Sequence, residues 1–397
     1  MNNVVTDGVG SNITDTKAAA KAQKPAAKKR DSNLELFRII TMLLIIAHHF
    51  VVNSGLKDMD GPISSSPFTF NSLFLLVFGA WGKIGINCFV MITGYFMCKM
   101  NITAKKFAKL FCEVMFYRIV LQMIFWISGY EPFSVVNFVL TLIPITDLTQ
   151  DFTQCFLIFF LFIPFLNTLI SHISERMHIG LIFLCGLTYV LLGTIRGGPF
   201  AVDMNYVSWF MVIYVIASYF RLYPKKWTNN TARCGVLFFL SVTAAALSVI
   251  GCTAAGERFG RFAPYYLVSD SNSFLALISG VFAFLFFKNI KIPYNRFINT
   301  IAASSFGVLL IHTHSDSMRQ WLWGDVLDNV GHFSDKLMPL YAICSVIVIF
   351  AVCTVIDILR INLLEKPFFR FWDKKESGWT EKIKGFADRM FRKMDIE

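Results

Sequence analysis

Runs of about twenty apolar residues recur along nearly the whole chain, and nothing constrains its fold more. They fall at 34–54, 83–99, 107–129, 152–171, 178–195, 205–222, 232–252, 271–289, 300–318 and 338–361. About twenty such residues carry a helix across the hydrocarbon of a bilayer, where every backbone N–H and C=O must be satisfied within the segment. The pattern predicts an all-α integral membrane protein, a polytopic bundle of about ten transmembrane helices. Composition points the same way: 55% of the 397 residues are hydrophobic, 42 are Phe and only 16% are charged. A soluble domain carries nearer a quarter charged residues, so lipid must cover most of this surface.

The net charge of +11 would suit nucleic acid in a soluble chain. Here its distribution argues for membrane topology instead. With the N-terminus inside, the inner loops gather Lys105 with Lys106, Lys225 with Lys226, and Lys288 with Lys291. The outer loops hold isolated cations: Lys57, Arg196, Arg258, Arg261, Arg319 and Lys336. Basic residues collect on the cytoplasmic side, so an even number of spans with both termini cytoplasmic is expected, membrane lipid as the surroundings and no nucleic-acid partner.

Three regions follow. Residues 1–33 lack aromatics, end in a basic run at 28–30 and read as a disordered basic cytoplasmic tail. Residues 34–366 form the transmembrane domain. Residues 367–397 repeat apolar side chains at helical spacing (Trp379, Ile383, Phe386, Met390) between Lys and Arg, the pattern of a basic amphipathic helix on the inner leaflet. The stretch from 34 is too long for a signal-peptide core and reads as a first span. Segment 67–82 reads as an interfacial or re-entrant piece leading into the second span, and 131–150 as an outer loop that dips. The nine cysteines show no metal spacing and are expected as free, buried thiols, with no metal site. There is no P-loop, no dinucleotide fingerprint and no GxSxG.

Chemistry is sought among polar residues inside the spans, because an ionisable group in hydrocarbon is costly and marks function. Arg38 and His49 are eleven residues apart, nearly three whole turns, so both face one side of the first helix, about 16 Å apart along its axis. Glu35, three residues before Arg38, is placed to pair with it. His48 points about 100° away and reads as an interfacial polar group. On the second span, Lys83 and Asn87 share a face; their competing reading is a snorkelling ammonium and a packing amide. Glu113, Arg118 and Gln122 form a polar stripe on the third span, with Arg118 expected to pair Glu113. His312 and Arg319 sit near the end of the ninth. Tyr95, Asn167 and Asn272 are expected to pack.

The run from Leu34 through Arg38 to His49 and Phe50 resembles the first span of the acyltransferase-3 family of bacterial membrane O-acyltransferases. Further stretches are similar in the same order: 82–89 with 93–96, Pro164 to Asn167, Trp209 and Phe210 with Tyr214, 271–273, and Ser305 to His312 with Arg319 and Trp323 beyond. The resemblance covers roughly residues 31 to 370. Two stretches depart from the family pattern: 150–152, where an aromatic pair with Trp is usual, and Thr313-His314, where Asp-Asn is usual.

The resemblance implies transfer of an acyl group, commonly acetyl, from cytoplasmic acyl-CoA to a hydroxyl of a cell-envelope or surface glycan, in the bacterial plasma membrane. The donor is a substrate, and no permanently bound cofactor is implied. The family's essential His falls on His49 and its Arg on Arg38. On the physical side, a His supplies a base near neutrality and cations stabilise a developing oxyanion or donor phosphates. The catalytic group is therefore His49, Arg38 and Glu35; Arg38 and Arg118 are expected at the donor, and Lys83, Asn87, His312 and Arg319 at the acceptor. The acceptor, a glycan or lipid-linked sugar, is expected to be met directly or through a partner protein outside the membrane. The competing function is a transporter or exporter of a glycan or small molecule, which ten spans with buried charges also suit.

Overall fold

The structure, a computed structural model, describes residues 31–194 and 204–373. Most of both expected tails (1–30 of 1–33 and 374–397 of 367–397) and Arg196 lie outside the described residues, while Ser32, Asn33 and 367–373 are helical. The described part is helical, without strands: α1 Ser32–Val52, α2 Pro62–Ser65, α3 Phe70–Phe78, α4 Gly82–Met97, α5 Ala104–Ile127, α6 Val135–Leu142, α7 Phe152–His172, α8 Glu175–Cys185 and α9 Leu192–Thr194. There follow α10 Tyr206–Leu222, α11 Thr231–Phe259, α12 Phe274–Asn289, α13 Arg296–Ala303, α14 Ser305–His312, α15 Asp316–Arg319 and α16 Met338–Arg360. Seven helical stretches are long and apolar enough to cross a membrane: 32–52, 70–97, 104–127, 152–172, 175–194, 231–259 and 338–373. Three more, 206–222, 274–289 and 296–312, are apolar but shorter.

Local chemistry sets the boundaries. Thr103, Ser134, Asp151, Ser174, Asn205 and Asn230 each cap the helix that follows, their side-chain oxygens accepting from the N–H three residues on. Such a cap satisfies an N–H that the helix itself leaves unpaired. Gly260 closes α11 at φ +65, a conformation a side chain disfavours.

The centre of the bundle is α1, α4 and α10, with α12 against α4, α7 against α10 and α16 against α1. Phe210, Tyr214 and Trp209 on α10 are fully buried. Helices α7, α8 and α11 turn Phe165, Phe183 and Phe239 outward, as a surface bathed in hydrocarbon tolerates. Close approach of α1 to the α3–α4 stretch depends on three glycines. A side chain at Gly79 would strike Val51, at Gly82 the ring of His48, and at Gly85 the side chain of Ile45.

Segment 67–82 becomes α3 and a short break before α4, so it is continuous with the second span. The segment 131–150 contains α6, which exposes Val135, Val136 and Phe138. Its start is tied down by Glu131, which accepts from Ser317 at 2.8 Å and from Asn137. Burial alone would raise the Glu131 carboxyl, but its side-chain hydrogen bonds, Ser317's foremost, outweigh it and hold it below the usual range. All nine cysteines are unbonded; Cys112 and Cys344 face outward, against the expectation that the thiols are buried.

Candidate functional site

A cavity of about 540 Å³ opens where α1 ends and α4, α7 and α10 begin. Its cationic wall is Lys57, Lys83, Arg118 and Arg319, and its one carboxylate among the described residues is Asp151. Met42 is the deepest α1 residue in the lining, and His48 and His49 stand above it.

His49 reaches across to the end of α14. Its Nδ1 lies 3.0 Å from Nε2 of His312, and Nδ1 of His312 lies 2.6 Å from the Val308 carbonyl oxygen. A carbonyl only accepts, so His312 Nδ1 carries the proton aimed at it. Neutral His312 then presents a lone pair at Nε2, and His49 must donate from Nδ1. That leaves the lone pair of His49 on Nε2, which has no protein partner among the described residues. The chain of two imidazoles and one carbonyl thus sets the tautomer of a residue in the cavity wall.

His48 faces another side of the helix, as expected, donating from Nδ1 to the Gly79 carbonyl at 2.6 Å. It is nevertheless part of the cavity wall. Lys83 donates to the Tyr206 hydroxyl at 2.6 Å and has no carboxylate partner among the described residues. Arg319 pairs at 2.8 Å with exposed Asp316.

Two residues expected at the acceptor, Asn87 and His312, do not line the cavity. Asn87 is fully buried outside the cavity. Its Nδ2 donates to the Ser271 carbonyl at 2.7 Å, and its Oδ1 accepts from Trp209 Nε1 at 2.9 Å. Both ends of the amide serve to join α4 and α10 to the chain before α12. His312 is also fully buried and contacts His49 rather than the cavity space.

Arg118 does not pair with Glu113. Its guanidinium donates to the carbonyls of Thr141 and Leu140 at the end of α6, and it lines the cavity. Glu113 instead meets Arg360 at 2.9 Å, and Arg360 also holds Asp357 at 2.8 Å and Glu365 at 2.9 Å. Tyr117, in the cavity lining, donates to Asp357 at 2.8 Å. A buried ionic cluster therefore stands directly behind one wall residue. Arg38 and Glu35 do pair, at 3.2 Å, but one turn below Met42 and outside the cavity. Tyr95, Asn167 and Asn272 all bond within the protein: to Arg221, to Tyr214 and to the Tyr189 carbonyl.

Sequence reasoning missed Tyr117, Asp151, Tyr206, Tyr265 and His314 in the wall. Asp357 and Arg360, three apart on a span, were a readable signal; their partner Glu113, 247 positions from Arg360, was not. Outside the helices, burial pulls the Lys57 ammonium below its usual value, with Asp58 opposing.

A family model described as an acyltransferase domain matches residues 31–358. Among curated proteins and among solved structures, none matches the chain.

Proposed function

From the premise that this chain belongs to the acyltransferase-3 family and is a membrane acyltransferase, we propose that it moves an acetyl group from cytoplasmic acetyl-CoA to a hydroxyl of a cell-envelope glycan. The observation that carries this reading is the His49–His312 bond of 3.0 Å, which leaves a basic nitrogen on the cavity wall.

His49 Nε2 takes the proton of the acceptor hydroxyl as that oxygen attacks the thioester carbonyl. The carbonyl oxygen becomes an oxyanion, and Lys83 and Arg118 are the wall cations available to balance it. As the intermediate collapses the C–S bond breaks, and the proton on Nε2 passes to the departing thiolate. The imidazole ends as it began.

The charge asymmetry of the loops supports both termini in the cytoplasm and a cavity that opens outward. An acceptor glycan or lipid-linked sugar then enters from outside, directly or handed over by a partner protein. Arg38 lies toward the opposite face, where its planar guanidinium suits the phosphates at the far end of the donor. The departures from the family pattern at 150–152 and at Thr313-His314 both fall in the cavity wall, which favours an acceptor particular to this chain.

The test is transfer of radiolabelled acetyl from acetyl-CoA to envelope glycan by purified protein. We expect His49→Ala to abolish labelling while the protein still inserts and melts as the parent does. Labelling that persists in His49→Ala overturns the assignment of the base.

A further inference from the structure

The main cavity continues into a second, of about 400 Å³, and the two share Lys57, Tyr265 and Ser269. The annex adds Arg261 with Phe262 and Tyr266 from the loop after α11. We propose that this annex is an anion subsite, and that the acceptor glycan carries a carboxylate or phosphate beside the hydroxyl that receives the acyl group.

Charge is the first observation. Among the described residues, the two cavities together are lined by Lys57, Lys83, Arg118, Arg261 and Arg319 against one carboxylate, Asp151. Of these cations only Arg319 has a carboxylate partner at bonding distance among the described residues. The side chains of Lys57 and Arg261 make no hydrogen bond or ion pair among the described residues; Asp58, next to Lys57 in the chain, is exposed. Uncompensated cations in a concave site raise the local concentration of an anion.

The second observation is shape. Lys57 Nζ stands 5.5 Å from the centre of the Tyr265 ring, and that ring is the wall common to both spaces. Tyr265 is 7% exposed and its hydroxyl has no hydrogen-bond partner among the described residues. Aromatic walls beside fixed cations suit a sugar ring bearing an acid group, one surface for each half of the ligand. The third is position. The annex lies at the end of the bundle opposite Arg38 and Glu35, away from where the far end of the donor is assigned.

The inference rests on the cavity being the acceptor site, so the experiment reads binding apart from transfer. Purified protein in phosphatidylcholine nanodiscs is titrated with tetragalacturonate, its neutral methyl ester and mannose 6-phosphate. The parent is expected to bind one of the acidic probes at least about tenfold tighter than the ester, with the preference shrinking as salt rises. Lys57→Gln with Arg261→Gln should weaken that probe at least about fivefold, and Lys57→Arg should retain it. Acetyl-CoA binding to the same variants serves as the control. A preference for tetragalacturonate assigns the carboxylate, and one for mannose 6-phosphate the phosphate; both sustain the subsite. Equal binding of ester and acids, or acid binding indifferent to both substitutions, overturns it. So does a parallel loss of acetyl-CoA affinity, because the pair would then hold the donor. Acid binding through Lys57 and Arg261 without any acyl transfer would leave the subsite standing and remove the proposed reaction.

Discussion

Substituting His312 separates a residue that positions the base from one that touches substrate. In His312→Phe the ring stays but the lone pair that receives the His49 Nδ1 proton is gone. A neutral hydrogen bond contributes about 0.5–1.5 kcal/mol net, and a buried donor left without a partner costs about 1–3 kcal/mol. At 1.36 kcal/mol per factor of ten, the loss in turnover is about 5- to 150-fold. His312→Gln restores an acceptor oxygen near Nδ1 and should keep activity within about fivefold of the parent. Because His312 works through His49, the fall should appear in kcat with KM for both substrates little changed. Adding His312→Phe to His49→Ala should cost nothing further, since there is no longer a base to orient. The assay is single-turnover transfer of labelled acetyl by detergent-purified protein, with melting curves to show each variant folded. Parental turnover in folded His312→Phe refutes the reasoning. So does a Gln variant no better than Phe, or a change confined to acceptor KM.

Other outcomes follow from the same geometry. His48→Ala should keep activity within about tenfold of the parent, since only the bond to the Gly79 carbonyl is lost; a null phenotype in transfer assays would make His48 the base instead. Arg38→Lys should lose most of its acetyl-CoA affinity, because an ammonium lacks the planar fork; equal affinity in a binding titration would reduce Arg38 to an anchor. Asn87→Leu should lower the melting temperature by stranding the Trp209 N–H and the Ser271 carbonyl, about 1–3 kcal/mol each; an unchanged melt counts against that role. Cysteine labelling from outside should fail at residue 397, and success there would invert the topology.

Helix placement was legible because a bilayer admits so few solutions: eight of the ten apolar runs match their helices to within a few residues, α11 runs seven residues past its run, and one run is broken by a turn. The broken run is instructive. Residues 300–318 fold as the end of α13, a turn at Ser304, α14 and then α15, which Ser315 caps. The Glu35–Arg38 pair was readable from helical spacing. What spacing cannot give is the partner on another helix. Nothing near Asn87 in the chain announces Trp209, and nothing near Glu113 announces Arg360. His312 was singled out, but its direction depended on where α14 docks, and that is a property of the assembled bundle.

The contact between Gly82 and His48 makes two positions, 34 residues apart in the chain, a single steric unit. A methyl group at 82 has no room while the imidazole is present, and pushing that imidazole moves the backbone that carries its neighbour, His49. The identity of residue 82 is therefore dictated by bulk at residue 48. Gly82→Ala should cripple the parent, and shortening His48 to Ala still leaves its Cβ 2.6 Å away, so room appears only when His48 becomes Gly. Any scheme that diversifies this chain has to vary the two together, or it will discard as inactive the very sequences in which the neighbouring base is intact.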